Sequence, residues 1–282
     1  MRAVARPGPR SPGSRRVSGR WVWGLSGLVT AAVLGVPLAH LITGVGDPQG
    51  AVPQNVVTRT ETVPQPVTSL VVDSYGGQVQ VASGPVSRVQ VTETIMYDQQ
   101  TRLPAVLQSV SGGRLALSSR ACASTGCSVG FRMTVPPDVT ATVSTGGGQV
   151  TVSGTAGANL DSGGGPARAT QIGGPLTVVT DGGNLIARDI AAATATITTG
   201  GGDATVAFSA APKSVKLSTG GGTAVLAVPG GPYAVTADSG GGPELLGIAT
   251  NPAARPTLMV SSGGGPLRIE PAPRLWRPGL SA

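Results

Sequence analysis

The chain has 282 residues, 44 of them Gly and 24 Pro, with only 3% aromatic and 12% charged side chains. Its formal charge of +7 is a property of one end: Arg2, Arg6, Arg10, Arg15, Arg16 and Arg20 precede the first tryptophan, and the other basic and acidic residues nearly cancel. A basic tail before an apolar segment is a topological signal rather than a nucleic-acid site, and one His and two Cys leave no set of zinc ligands and no Ser/His/Asp chemistry.

Residues 1–20 read as a disordered, Pro/Gly/Ser/Arg-rich cytoplasmic tail. Residues 21–43 come next as a transmembrane helix. From Trp21 to Ile42 no residue except His40 can carry charge, and the run is long enough for a bilayer core of about 30 Å. Trp21 and Trp23 stand where interfacial aromatics occur, and the arginines before them place the N-terminus in the cytoplasm and the bulk of the chain outside. Two other features keep export with cleavage open: a small-residue site at Gly44-Val45-Gly46, and a twin-arginine pair at Arg15-Arg16 that lacks its usual apolar followers. Both readings put the same residues outside the membrane.

Residues 44–66, with Pro48, Pro53, Pro64 and Pro66, read as an extended spacer. Strand patterning starts at Val67. Leu70 to Val81 looks like one repeat unit, and further strand-like runs cover Val86–Ile95, Gly113–Ser118 and Val129–Pro137. Residues 99–110 are the candidate for a short helix or excursion. Cys122 and Cys127 lie in a turn-like stretch of the exported part, where a local disulfide is the default. This irregular first part is expected to cap one end of the regular repeats that begin near Ser144.

From Ser144 a polar pair with glycine after it returns seven times: Ser144-Thr145, Asp161-Ser162, Thr180-Asp181, Thr198-Thr199, Ser218-Thr219, Asp238-Ser239 and Ser261-Ser262. The glycines after them are Gly146, Gly163, Gly182, Gly200, Gly220, Gly240 and Gly263, about 20 residues apart, a period that marks a solenoid. Flanking alternation rich in Val, Ile and Thr reads as half-buried strand, with glycine at the corner. Val143, Leu160, Val179, Ile197, Leu217, Ala237 and Val260, each just before a polar pair, are the predicted core positions. The polar pairs are expected to bond the corner backbone as Asx- and ST-turns do. The expected fold is therefore all-β: a single-stack β-solenoid of about 20-residue turns over residues 67–272, behind one N-terminal transmembrane helix. Residues 273–282 form a C-terminal tail, with Trp276 placed to lie over the open end of the stack.

No site chemistry emerges. Only Asp203 follows a glycine group as an acid, so a calcium-binding nonapeptide pattern is not met. Asp161 and Asp181, in adjacent turns, are expected one column apart on opposite sides of a strand, which argues against a paired-carboxylate glycosidase site. Arg168 and Arg268 share a repeat position and hint at a basic stripe. No catalytic residue, metal or cofactor is expected.

The strand–glycine–strand turns, the Met133-Thr134-Val135-Pro136-Pro137 segment before the first regular turn, and the basic tail with a single membrane span resemble the bacterial "putative adhesin" family of β-strand-repeat domains of unknown function. The resemblance covers roughly residues 67–271. It implies a cell-envelope protein with a right-handed β-solenoid-like domain and no catalytic residues to carry over. The function expected is that of a non-catalytic, membrane-anchored extracytoplasmic adhesin or cell-envelope-binding protein, with a cell-wall or surface glycan as a candidate partner. The alternative, implied because some relatives accompany envelope-stress signalling proteins, is a stress sensor or regulator. With so short a cytoplasmic tail, it would act through a membrane signalling partner.

Overall fold

A computed structural model describes residues 54–98, 103–119 and 127–272. The chain divides into units Met1–Gln49 and Gly50–Ala282, and the described residues all belong to the second. The expected membrane segment, the cytoplasmic tail, Cys122 and residues 273–282 lie outside them. The described residues form strands, turns and loops, with no helix.

In chain order the strands begin with β1 (Gln54–Thr62) and a pair, β2 (Ser69–Ser74) and β3 (Val79–Ser83). Then come β4 (Gln90–Asp98), β5 (Leu107–Ser111), β6 (Arg114–Ser118) and β7 (Cys127–Val135). Seven further pairs complete the chain: β8 (Thr140–Thr145) and β9 (Val150–Ser153), β10 (Gly157–Asp161) and β11 (Ala167–Thr170), β12 (Leu176–Thr180) and β13 (Leu185–Ile190), and β14 (Thr194–Thr199) and β15 (Ala204–Phe208). The last three are β16 (Ser214–Thr219) and β17 (Ala224–Val228), β18 (Ala234–Asp238) and β19 (Glu244–Leu246), and β20 (Thr257–Ser261) and β21 (Leu267–Pro271).

Within each pair the first strand joins a 10-stranded sheet and the second an 11-stranded sheet. The ladders between repeat units are parallel, and they keep register except for β13–β15, which shifts by a bulge between Ala187 and Ile190. Register decides what is inside. One inner row of the 10-stranded sheet runs Val72, Val143, Leu160, Val178, Ile197, Leu217 and Val260, each at most 3% exposed. A second runs Leu70, Ala141, Ala158, Leu176, Ala195, Val215 and Leu258. The facing sheet contributes rows through Val150, Ala167, Leu185, Ala204, Ala224 and Leu267. Parallel strands about 4.8 Å apart put like residues over like.

Four expectations change. Part of the expected spacer is sheet: β1 pairs antiparallel with β4 along its whole length, from Gln54–Asp98 to Thr62–Gln90. Its Val and Thr residues are strand formers, and the flanking prolines Pro53 and Pro64 bound it rather than interrupt it. In the stretch 99–110, Leu107 to Val110 belong to β5, which forms a hairpin with β6 through positive-φ Gly112 and Gly113. In the β12 unit Val178 points inward and Val179 is 38% exposed, so the predicted core position is one residue late. Arg168 and Arg268 do share an outward row, but Ile186, Thr205 and Val225 separate them, so there is no continuous basic stripe.

The order of units also departs from chain order at both ends. β20 lies between β16 and β18, and β21 between β17 and β19. The last pair is thus inserted inside the preceding one, and the long return from Leu246 to Thr257 makes the step. Likewise β2 lies between β6 and β8, and β3 between β7 and β9. Neither the first nor the last strand pair is at an edge.

Amide hydrogen exchange tests this order. The amides of β20 and β21 are expected to exchange more slowly than those of β18 and β19, although they lie nearer the C-terminus, because fraying starts at an edge.

Candidate functional site

The repeated corner is the most regular polar feature of the described chain. One hydroxyl in each corner is buried: Thr145, Ser162, Thr180, Thr199, Thr219, Ser239 and Ser262 are at most 8% exposed. Each donates to the carbonyl three residues on, at Gly148, Gly165, Gly183, Gly202, Gly222, Gly242 and Gly265, at 2.5–2.9 Å. Ser74 holds the matching place in the β2 unit and donates instead to Val129 O at 2.7 Å. The turn bonds expected of both polar residues are present at one hydroxyl of each pair, the buried one, which donates, while Ser261 bonds Ser218 of the neighbouring unit at 2.9 Å instead. Where the first polar residue is Asp it works as an Asx cap: Asp161 accepts from Gly163 N–H at 3.2 Å and Asp238 from Gly240 N–H at 2.9 Å.

The glycines divide by place in the corner. At the third place, Gly77, Gly148, Gly165, Gly183, Gly202, Gly222, Gly242 and Gly265, a Cβ would stand closer than 3.0 Å to a backbone carbonyl of the neighbouring unit. At the second place, including Gly147, Gly164, Gly182 and Gly201, it would meet nothing within 4 Å. The predicted corner glycines are mixed. Gly163, Gly240 and Gly263 take φ near 60°. Gly200 and Gly220 approach a neighbouring carbonyl too closely for any side chain, and a Cβ at Gly146 would make only ordinary contacts, with the Tyr75 ring at 3.7 Å and Gly76 N at 3.9 Å. Gly182 is in the second place, because Thr180 is that unit's buried hydroxyl and Asp181 occupies the first. Close packing excludes a side chain at every third place and at some first places, such as Gly200 and Gly220.

The position after the glycines carries a ladder that sequence reading passed over. Asn184 accepts from Asp203 N–H at 2.9 Å, and Asp203 accepts from Thr223 N–H at 2.7 Å, joining three units. Amide and acid at the same offset in consecutive repeats was the signal available. Asp161 is in register with Val179, so Asp181 stands two columns along rather than one. Among the described residues no group of acids, His or Cys is placed to hold a metal ion.

The outward face of the 10-stranded sheet is largely polar. One row runs Val71, Thr142, Asn159, Thr177, Thr196, Lys216 and Met259, and the next runs Asp73, Ser144, Asp161, Val179, Thr198, Ser218 and Ser261. Charged pairs lie elsewhere: Arg59 with Glu93 at 3.4 Å and Arg268 with Glu270 at 3.8 Å. Burial raises the Glu93 carboxyl above its usual value, and Arg59 offsets part of that rise. Cys127, opening β7, is disulfide-bonded.

No family model matches the chain, and no curated protein does. The solved structures it is similar to are described as putative adhesins and related proteins. One, a putative adhesin from Bacteroides fragilis NCTC 9343, is 13% identical over 76% of this chain and 97% of that one, with a TM-score of 0.49. A putative cell adhesion protein from Clostridium sporogenes ATCC 15579 is 13% identical over 77% and 100%, with a TM-score of 0.37. A putative adhesin from Parabacteroides distasonis ATCC 8503 is 15% identical over 76% and 97%, with a TM-score of 0.42. At such scores the likeness carries no argument about function.

The corner and the ion pair can each be tested by substitution. Gly202→Ala is expected to cost roughly 1–3 kcal/mol or more by overpacking, Thr199→Val a similar amount by orphaning a carbonyl, and Gly201→Ala no more than about 0.5 kcal/mol; denaturant unfolding ranks the three. For Glu93, a raised folded-state pKa favours the neutral carboxyl. Its contribution is therefore present at low pH and lost as pH rises through the raised value. Glu93→Gln is expected to flatten that fall in stability, read from urea midpoints across the acid range.

Proposed function

We propose that this protein is a non-catalytic, adhesin-like binder of a cell-envelope glycan, built as a β-solenoid and held at the membrane by the segment Trp21–Ile42. In this reading the N-terminus is cytoplasmic and residues beyond about 43 are extracytoplasmic. One observation carries the binding surface: the in-register polar rows on the outward face of the 10-stranded sheet. Thr142, Asn159, Thr177 and Thr196 repeat at the strand spacing of about 4.8 Å, between Val71 on one side and Lys216 on the other. A polyhydroxylated polymer lying along such a face exchanges hydrogen bonds at many equivalent points. Each bond contributes about 0.5–1.5 kcal/mol net, so affinity comes from number rather than from one pocket. The carboxylates nearest to this face are engaged in corners, as Asp161 and Asp238 show.

The test is sedimentation of the purified protein with insoluble peptidoglycan and wall glycan. Binding is expected, with at least a tenfold weakening in the triple variant Thr142→Val, Thr177→Val, Thr196→Val, whose shape and strand propensity are preserved. Failure to bind any envelope fraction would reject the reading, and so would full affinity in the triple variant. Protease treatment of intact cells is expected to remove the body of the chain; complete protection would reject the placement outside the membrane.

A further inference from the structure

Among the described strands, Gly130 of β7 is the glycine that lies in a strand interior. Its neighbours Val129 and Phe131 are buried, so Gly130 belongs to the outward side of the 11-stranded sheet. It pairs with Thr94 of β4 on one side. On the other it lies beside Gln78, whose carbonyl accepts from Phe131 N–H at 2.9 Å. Glycine inside a strand weakens it, and it marks a place where another backbone or a ligand comes close. Backbone packing supplies only part of the reason here, because a Cβ at Gly130 would stand 3.2 Å from Gln78 O, a few tenths of an ångström too near. The missing side chain leaves a notch of about 240 Å³ in the outward face.

The walls of this notch are polar and unengaged. Paired Met96 and Ser128 stand at one end, paired Gln80 and Arg132 at the other, and Thr94 and Gln78 along the sides. Ser128 and Arg132 are four residues apart, which along a strand is about 13 Å. Among the described residues, the side chains of Gln78, Gln80, Thr94, Ser128 and Arg132 make no hydrogen bond or ion pair with the protein. Arg132 is exposed, and its outward row continues through Gln80 and Thr151 to a second exposed arginine, Arg168. The two are three strand spacings apart, or about 14 Å. The next outward row, Thr134, Ala82, Ser153 and Thr170, holds no acid. Glu93 on β4 is in register with buried Phe131, on the other side of the sheet, and is held by Arg59.

We propose that the notch over Gly130 seats one unit of an anionic glycan, with the carboxylate or phosphate of that unit on Arg132. A planar guanidinium takes either group through two parallel hydrogen bonds. The amides of Gln78 and Gln80 and the hydroxyls of Thr94 and Ser128 each donate and accept, as the hydroxyls of a sugar require. Met96, 39% exposed, offers an apolar contact for the ring. The notch is smaller than the roughly 300–1,000 Å³ of sites that enclose a whole drug-sized ligand, so it fits a single unit of a polymer that runs on across the strands. Arg168 then receives a further anionic group of the same polymer. The site goes beyond the polar-row reading, since it lies on the other sheet and adds selection for charge; it shares with that reading only the premise that the ligand is a glycan.

The experiment titrates the full chain, purified in a neutral detergent, with end-labelled oligomers of galacturonic acid, of glycerol phosphate and of glucose, read by fluorescence anisotropy. At least one anionic oligomer is expected to bind about tenfold or more tightly than the glucose oligomer, and which one binds tells carboxylate from phosphate. Arg132→Gln is expected to weaken that binding about tenfold. Gln80→Ala and Gly130→Val, which fills the notch, are expected to weaken it several-fold. Arg132 and Gln80 are on the surface, so their variants keep the test decisive should Gly130→Val fail to fold. Arg114→Gln removes the same charge from the other sheet and is expected to change nothing. Equal affinity for the glucose oligomer, an equal loss in Arg114→Gln, or no affinity for any of the three would each overturn the proposal. Binding lost in the triple variant Thr142→Val, Thr177→Val, Thr196→Val but kept in Arg132→Gln would overturn it too, and would leave the polar rows as the binding surface.

Discussion

A buried hydroxyl that holds the carbonyl three residues ahead is the contact on which the rest of the fold depends. A chain that bends this sharply next to its own core turns peptide groups inward, where an unpaired carbonyl costs about 1–3 kcal/mol. Thr or Ser at the end of each first strand, or one residue past it, meets that need from within the same corner, as Thr199 does for Gly202 O. The partner carbonyl is then free of any side chain. Successive corners can therefore close to backbone contact, and a Cβ at Gly202 would run into Gly183 O. The hydroxyl and the third glycine are one device. The first fixes the bend, and the second lets identical bends pile up at strand spacing. Among the described residues no buried side-chain polar atom is left without a partner.

From that bend the register of both sheets is determined. Counting back two residues from the hydroxyl gives one inner row and four gives the other, so Leu217 and Val215 precede Thr219. A slip of one residue would turn Lys216 and Ser218 inward together. The core these rows enclose is thin. Leu176 and Leu258 each bring roughly 1.5–3 kcal/mol on burial, while Ala141, Ala158 and Ala195 in the same row bring much less. No unit carries enough apolar surface to stand alone, and stability is shared between neighbours as in other repeat arrays.

Much of this was legible in the sequence because the repeat is short and its chemistry is blunt. Glycine after a hydroxyl, at a spacing near 20, located the corners, and Leu70–Val81 was recognisable as a further unit. The misreadings have local causes. In Thr180-Asp181-Gly182-Gly183 an acid replaces the first glycine, and aligning on the glycine rather than the hydroxyl shifted that frame by one, putting Val179 in the core instead of Val178. β1 was hidden because its Val and Thr pattern sits among prolines, and its status as a strand depends on β4, some 30 residues later in the chain. β5 reads alike as a helix or a strand until the Gly112-Gly113 turn is paired with it. The inserted positions of the first and last units have no local signal beyond one longer interval, between Gly240 and Gly263.

Those insertions bear on a problem inherent to the repeat. A stack of identical parallel strands is complementary to itself, and either end invites another unit or another chain. At one end antiparallel β1 and β4 break the parallel pattern, and the exposed side chains along β1 include Arg59 and Glu61. At the other, moving β20 and β21 inside leaves the edge to β18 and to a β19 of only three residues. Glu244 stands on that edge in a row that holds Ala224 and Leu267 in the units beneath. A further unit laid on β19 would have to bury that carboxylate without a partner, which is far costlier than burying the alanine it replaces. The same residue that leaves the end of the core open therefore limits growth of the stack.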